Sequence, residues 1–147
     1  MRLMAVVSCL LSLVFAGVAP ALAAGTTRIQ QTDGVVNTYP STRMRLTGHT
    51  LYITSGDGRG VLEVATGACT YAGELRRCYP STVTLHQHHQ DHVIPLDHGT
   101  VYFNLSDAVH HLLHSSERVP PHGVLVAFET ARGTFVTVRG TLDTVVQ

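Results

Sequence analysis

After residue 24, the chain consists mainly of short segments in which apolar and polar residues alternate. Alternation with a period of two is typical of β-strands that bury one face. The segments are rich in β-branched and aromatic residues, and Gly, Pro, Asp or Ser separates them about every 8–12 residues. They include TLYITS, VLEVAT, STVTLHQ, TVYFNL and GVLVAFET. The pattern predicts an all-β domain, mainly an antiparallel sandwich or barrel-like fold.

One segment departs from this alternation. Residues 106–114 read SDAVHHLLH, and a helix there would carry Val109, Leu112 and Leu113 on one side. Ser106 is a residue type that is preferred at the N-cap of a helix. The sequence therefore predicts one short helix near 106–114.

The N-terminus has the composition of an export signal. Arg2 precedes a long apolar run, and ALAAG then supplies the small residues at which signal peptidases cleave. A membrane anchor is the alternative, but small polar residues and a proline interrupt the run and no basic flank follows it. We predict that residues 1–24 are a secretory signal peptide and that residues 25–147 form a single β-rich domain, a length that suits one core. We expect a periplasmic or secreted protein without stable membrane insertion.

Two cysteines frame the segment CTYAGELRRC. In an exported chain, the pair Cys69 and Cys78 is first a disulfide candidate. If the segment is a hairpin, these two residues face each other and Gly73-Glu74 is a two-residue loop with Gly first, which favours a type II′ turn. We therefore predict one disulfide-bridged hairpin with a structural role. A redox role is the alternative, but the spacing is not Cys-x-x-Cys.

Charge is balanced over the chain. Arginines and acidic residues are equal in number, Lys is absent, and all ten His lie after residue 24. Such a chain has no broad attraction for polyanions at neutral pH, so we expect no nucleic acid as a partner.

Residues 84–92 read TLHQHHQDH and contain four of the histidines. If a strand continues to residue 88, then His86 and His88 share a face about 6–7 Å apart, and His92 returns on the next strand. Two or three imidazoles at this spacing suit Zn²⁺ or Cu²⁺, so His86, His88 and His92 are the candidate metal ligands. The alternative is a polar surface loop. We expect metal binding there to be weak and no cofactor to be required.

Catalytic motifs do not emerge from the sequence. The metallo-β-lactamase pattern His-x-His-x-Asp-His fails, because Asp91 and His92 come one position late. The sequence contains no nucleophile elbow, P-loop, dinucleotide fingerprint or His-Glu-x-x-His motif. We therefore expect no catalytic residues and no enzyme activity, and a small secreted hydrolase is the remaining alternative.

The C-terminal half, IPLDHGTVYFNL followed after an insertion by VLVAFETARGTFVTVRGTLDTVV, resembles the periplasmic domain of FecR-type sigma-regulator proteins. The matching positions are Leu96, Gly99, Phe103, Leu105, Val126, Phe128, Val136, Val138, Gly140, Thr141 and Val145. Leu142-Asp143 replaces the family's usual small-aromatic step, and the chain has no counterpart of its cytoplasmic helix and membrane span. The resemblance implies a stand-alone, non-catalytic β-domain that recognises another secreted or envelope protein.

Overall fold

The structure is a computed structural model that describes residues 25–146. The predicted signal peptide, residues 1–24, lies outside the described residues. The strands are β1 (Gly25–Gln30), β2 (Val36–Thr47), β3 (Thr50–Thr54), β4 (Gly60–Ala72), β5 (Leu75–Gln87), β6 (Gln90–Ile94), β7 (Leu96–Asn104), β8 (His111–Leu112), β9 (Arg118–Val119), β10 (Gly123–Thr130) and β11 (Phe135–Val146).

Nine of these strands form one large mixed sheet in the order β4-β3-β2-β1-β11-β10-β7-β5-β6. β4 also pairs with β5, and the second half of β11 pairs in parallel with β2. The remaining strand pairings within residues 25–146 are antiparallel, and β8 and β9 form a separate two-stranded arm. The all-β prediction is therefore confirmed.

The core forms on one face of the sheet, as the alternation in the sequence requires. On β3, Leu51 and Ile53 are buried, whereas Tyr52 between them points to the opposite face. Gly99 on β7 allows close packing, because a Cβ at this position would lie 2.7 Å from the Cβ of Phe128. The apolar residues of this core cluster are Met44, Leu46, Leu51, Ile53, Val64, Cys78, Val83, Val101, Phe103, Val124, Val126, Phe128, Val136 and Val138.

The predicted helix near 106–114 is wrong, and the buried side chain of Asn104 gives the physical reason. Its amide donates to the carbonyl oxygens of Val109, Val119 and Pro120 at 2.6–3.1 Å, and its Oδ1 accepts from the Ser106 N–H. Ser106 does accept from two following backbone N–H groups, as an N-cap does. However, the Val109 carbonyl is already bonded to Asn104, and the segment continues into β8 instead of a helix. Within the described residues, no helix is long and apolar enough to span a bilayer.

Candidate functional site

The disulfide-bridged hairpin occupies the paired ends of β4 and β5. Cys69 and Cys78 are register partners and are bonded to each other, which confirms the predicted bridge. The turn is Gly73-Glu74, between the paired residues Ala72 and Leu75. Gly73 adopts φ +63°, as the first position of a type II′ turn requires. We call residues 69–78 the disulfide hairpin.

The outer side of this hairpin is an open strand edge. The Cα atoms of Cys69 and Cys78 are 4.1 Å apart, the spacing of a pair that exchanges no backbone hydrogen bonds. By alternation, the N–H and C=O groups of Cys69 and Tyr71 therefore point away from β5. β3 pairs with β4 only over residues 61–65, and among the described residues no strand pairs with the outer side of residues 69–72. We call residues 69–72 the hairpin edge.

Two arginines on β5 lie against aromatic rings beside this edge. The Arg76 guanidinium carbon is 5.7 Å from the ring centre of Tyr71 and 5.6 Å from that of Phe103. The Arg77 guanidinium carbon is 5.3 Å from the ring centre of Tyr79 and 5.9 Å from that of Tyr102. These contacts have the geometry of cation–π interactions. By alternation, Tyr71 and Arg76 lie on the face of the sheet that carries Phe103, and Arg77, Tyr79 and Tyr102 lie on the opposite face. We call these five residues, which cover both faces of the hairpin, the arginine–tyrosine surface.

The two guanidinium groups of this surface lack ion-pair partners in the described part of the chain. Neither Arg76 nor Arg77 forms an ion pair with a carboxylate among residues 25–146. Arg76 Nε is buried and has no hydrogen-bond partner there. Tyr71 is 64% exposed and Tyr79 is 46% exposed, so large aromatic rings stand in solvent next to unpaired guanidinium groups.

The predicted metal ligands lie at the opposite end of β5. This strand ends at Gln87, and His88 and His89 form a turn with φ of +54° and +61°, so the expected shared strand face of His86 and His88 is wrong. Two consecutive residues at positive φ are the signature of a type I′ turn, which ends the alternation. His92 pairs with Leu85 and therefore lies on the face opposite to His86. The structure does not bring the three imidazoles together on one face, and their metal binding stays a prediction.

His86 instead contacts two carboxylates on the neighbouring strands. Its Nε2 is 2.7 Å from Glu63 Oε2, and its Nδ1 is 2.5 Å from Asp91 Oδ1. The hydrogen bond with Glu63, followed by that with Asp91, raises the pKa of His86 above its ordinary value. We call these three residues the His86 ion-pair network. Both ring nitrogens of His86 therefore lie within hydrogen-bonding distance of a carboxylate, and the two carboxylates lie on opposite sides of the ring.

An open depression of about 570 Å³ lies beside this network. Its lining comprises Gly58, Arg59 and residues 86–91. Both cationic and acidic groups line it, and no bond in it pairs a nucleophile with a base. We assign it no chemistry.

A second carboxylate–histidine group lies where β7 begins and β10 ends. His98 pairs with Glu129 in register, and its Nε2 is 3.4 Å from Glu129 Oε2. Its Nδ1 is 3.1 Å from Asp97 Oδ2. One ligand atom from each residue lies within 4.8 Å of the other two, close enough for these side chains to hold a metal ion after small rotations. Sequence reasoning missed this group, because Glu129 is distant in the chain and only the β7–β10 register brings it to His98.

No protein-family model, curated protein or solved structure matches the chain. The function is therefore argued from the geometry of these groups. The disulfide hairpin offers free backbone groups along its edge and an arginine against an aromatic ring on each of its faces, an arrangement that can contact another molecule.

Proposed function

We propose that the chain is an exported, non-catalytic β-domain that binds another secreted or envelope protein through the disulfide hairpin. The observation that carries this proposal is the hairpin edge, where the backbone groups of Cys69 and Tyr71 face outward with no strand beside them in the described part of the chain. An exposed edge is a template for pairing with another chain.

The side chains around the edge support the same function. Tyr and Arg are enriched at the centres of protein–protein interfaces, and the arginine–tyrosine surface contains only residues of these two types. The disulfide fixes the hairpin before any partner arrives, so binding loses little conformational entropy. The resemblance of the C-terminal half to the FecR-type periplasmic domain supports a recognition role as well.

A barrel-like arrangement also belongs to this proposal. The pairing of β4 with β5 links strands near the two ends of the sheet order. Closure through this pair supports a barrel more than a sandwich. The disulfide hairpin then projects from the seam at which the sheet closes, which leaves its outer side accessible.

Site-specific photocrosslinking tests the proposed function. Tyr71 and Tyr79 are replaced one at a time by benzoylphenylalanine in cells that export the chain. We expect both positions to give an adduct of the same mass. Val93 on β6 is the matched control, because it is 68% exposed and apolar but lies on the other hairpin. Adducts that form equally well from Val93, or none from either tyrosine, would contradict the proposal.

Divalent metal binding is a second candidate function, and the grouping of Asp97, His98 and Glu129 favours it. One imidazole and two carboxylates are ligands that Zn²⁺ accepts. Asp97 and His98 are largely in solvent and Glu129 is half-buried, so water would complete the coordination sphere and binding would be weak. Calorimetric titration of Zn²⁺ into the protein without a His tag, compared with the His98→Ala variant, tests this candidate.

A further inference from the structure

We infer that the hairpin edge binds an extended, acidic segment of a partner protein as an added β-strand. This inference rests on the proposed function and specifies the chemistry of the partner. It depends on three features of the disulfide hairpin: the direction of its free backbone groups, its unpaired positive charge, and its contrast with the other exposed edge of the sheet.

The free backbone groups define where such a strand would lie. Cys69 and Tyr71 each direct one N–H and one C=O outward, so together they offer four hydrogen-bonding groups. β3 occupies the same side of β4 up to the pair Thr50 and Ala65, and the Thr66 N–H bonds the His49 carbonyl just beyond it. An added strand would therefore continue the line of β3 past this point. Main-chain pairing of this kind is a known mode of peptide recognition.

The charge of the hairpin selects the partner. Residues 66–81 contain Arg76 and Arg77 but only one acidic residue, Glu74 in the turn. Both guanidinium groups already lie against aromatic rings and lack carboxylate partners among residues 25–146. A guanidinium held in place loses less entropy when it forms hydrogen bonds with a carboxylate. Glutamate or aspartate side chains of the added strand would meet this requirement.

The same arginines disfavour a second copy of the chain as the occupant. If two hairpin edges paired, the two arginines of each copy would lie one strand behind the new interface, so four guanidinium groups that lack carboxylate partners among residues 25–146 would gather around it. Charged side chains beside an edge commonly prevent such self-pairing. An acidic strand from another protein meets no such repulsion.

The second exposed edge provides a natural comparison. β6 pairs only with β5, so its outer side is also open within the described residues. In contrast to the disulfide hairpin, β6 carries no arginine, and its charged residues include Asp91, with Asp97 shortly after it. We therefore expect an acidic peptide to bind at β4 and not at β6.

The experiment measures the binding of two synthetic decapeptides to the mature protein by fluorescence anisotropy. One labelled peptide alternates Glu with Thr, and the other alternates Lys with Thr. We expect the Glu peptide to bind with a Kd on the order of tens of micromolar and the Lys peptide to bind at least about tenfold more weakly. Binding of the Glu peptide should weaken about fivefold or more between 50 and 500 mM NaCl, because exposed charges are screened.

Substitutions at the edge separate backbone from side-chain recognition. Tyr71→Ala removes the ring, whereas Tyr71→Pro also removes the outward N–H without affecting the bonds between β4 and β5. We expect the Pro variant to bind the Glu peptide at least about fivefold more weakly than the Ala variant, and Val93→Pro on the β6 edge to bind as the parent does. Arg77→Gln keeps the backbone intact and should weaken binding several-fold, so it tests the inference even if Tyr71→Pro fails to fold.

Three outcomes would overturn the inference: equal binding of the two peptides, binding of heparin but of neither peptide, or a dimer of the parent chain that Tyr71→Pro dissociates. If the Glu peptide does not bind but Tyr71 gives a specific photoadduct, the inference of an acidic strand is wrong and the proposed function stands. If the Glu peptide does not bind and no specific photoadduct forms, the hairpin is not a binding site.

Discussion

The two hairpins at opposite ends of β5 both need positive φ in their turns, but different residue types adopt it. In the disulfide hairpin, Gly73 occupies φ +63°, a conformation that glycine adopts at no steric cost. In the histidine hairpin, residues 83–94, His88 and His89 occupy φ +54° and +61°, which costs an L-residue with a side chain about 1–2 kcal/mol each. A turn that needs positive φ is thus visible in a sequence when glycine supplies it and hidden when other residues do.

The hairpins also differ in what holds their strands together. A covalent bond joins Cys69 to Cys78, whereas the His86 ion-pair network links β4, β5 and β6 through charged hydrogen bonds. The first constraint does not depend on protonation over the physiological range, and the second does. Substitutions in the two hairpins should therefore differ in size and in pH dependence.

The largest effect is expected from removal of the bridge. The Cys69→Ala/Cys78→Ala variant loses the restraint on a ten-residue loop, so its free energy of unfolding should fall by about 2.5–3 kcal/mol in the chain-entropy model. Urea denaturation of both proteins measures this difference. Thiol titration of the mature parent under denaturing, non-reducing conditions should find no free thiol. Two titratable thiols, or equal urea midpoints, would contradict the prediction.

Substitutions in the two turns should change the free energy of unfolding in opposite directions. Gly73→Ala meets no atom within 4 Å but keeps a positive φ, so it should reduce the free energy of unfolding by about 1 kcal/mol. His88→Asn/His89→Gly places the preferred type I′ pair in the histidine hairpin and should increase that free energy by about 1 kcal/mol. Chemical denaturation of both variants measures the two changes. Destabilisation by the Asn-Gly pair would mean that the imidazoles make contacts that outweigh their backbone cost.

The contribution of His86 to stability should be smaller and should depend on pH. A His whose pKa is raised by folding stabilises the protein fully below its unfolded pKa of about 6.5, and this contribution is lost as pH rises through the folded pKa. The thermal midpoint of His86→Gln should therefore lie further below that of the parent at pH 5.5 than at pH 9. Differential scanning calorimetry at both pH values measures the two gaps.

His92→Gln is the matched control for this pH effect. This residue lies on the adjacent strand, is exposed, and forms no ion pair among residues 25–146. Comparison of the two variants separates the loss of the His86 ion-pair network from the loss of an exposed histidine on the same hairpin. A gap for His86→Gln that is wider at pH 9 would show that the two carboxylates do not stabilise the imidazolium.

The features that the sequence predicted are those encoded by neighbouring residues. Alternation predicted the all-β fold, and the spacing from Cys69 to Cys78 around Gly73 predicted both the bridge and its turn. The features it missed depend on pairing between distant strands. Asn104 excludes the helix through carbonyl groups as far away as Pro120, and Glu63 reaches His86 only because β4 pairs with β5.

The same limit explains the metal-site prediction. Sequence reasoning selected histidines that are close in the chain, but one of them, His88, forms a turn and another, His92, faces the other way. The group Asp97, His98 and Glu129 combines a local pair with a residue that the β10 register supplies. Local spacing therefore identified residues of the right type but not the set that the fold brings together.

The smallest effect concerns metal removal, and it compares the two histidine groups directly. We expect Zn²⁺ or Cu²⁺ to bind the untagged parent with a Kd no tighter than about micromolar, because Asp97 and His98 are exposed and water would complete the coordination sphere. Calorimetric titration should show a larger loss of affinity for His98→Ala than for His86→Ala/His88→Ala, since ligand atoms of Asp97, His98 and Glu129 lie within 4.8 Å of one another, whereas His88 lies in the turn after the strand that carries His86. Binding should disappear near pH 5, where free imidazoles are protonated.

At a metal concentration equal to the Kd, binding stabilises the fold by only about 0.4 kcal/mol, so a chelator should lower the thermal midpoint by about 1–2 °C. Nanomolar affinity that the His86→Ala/His88→Ala variant loses would make the histidine hairpin the metal site instead.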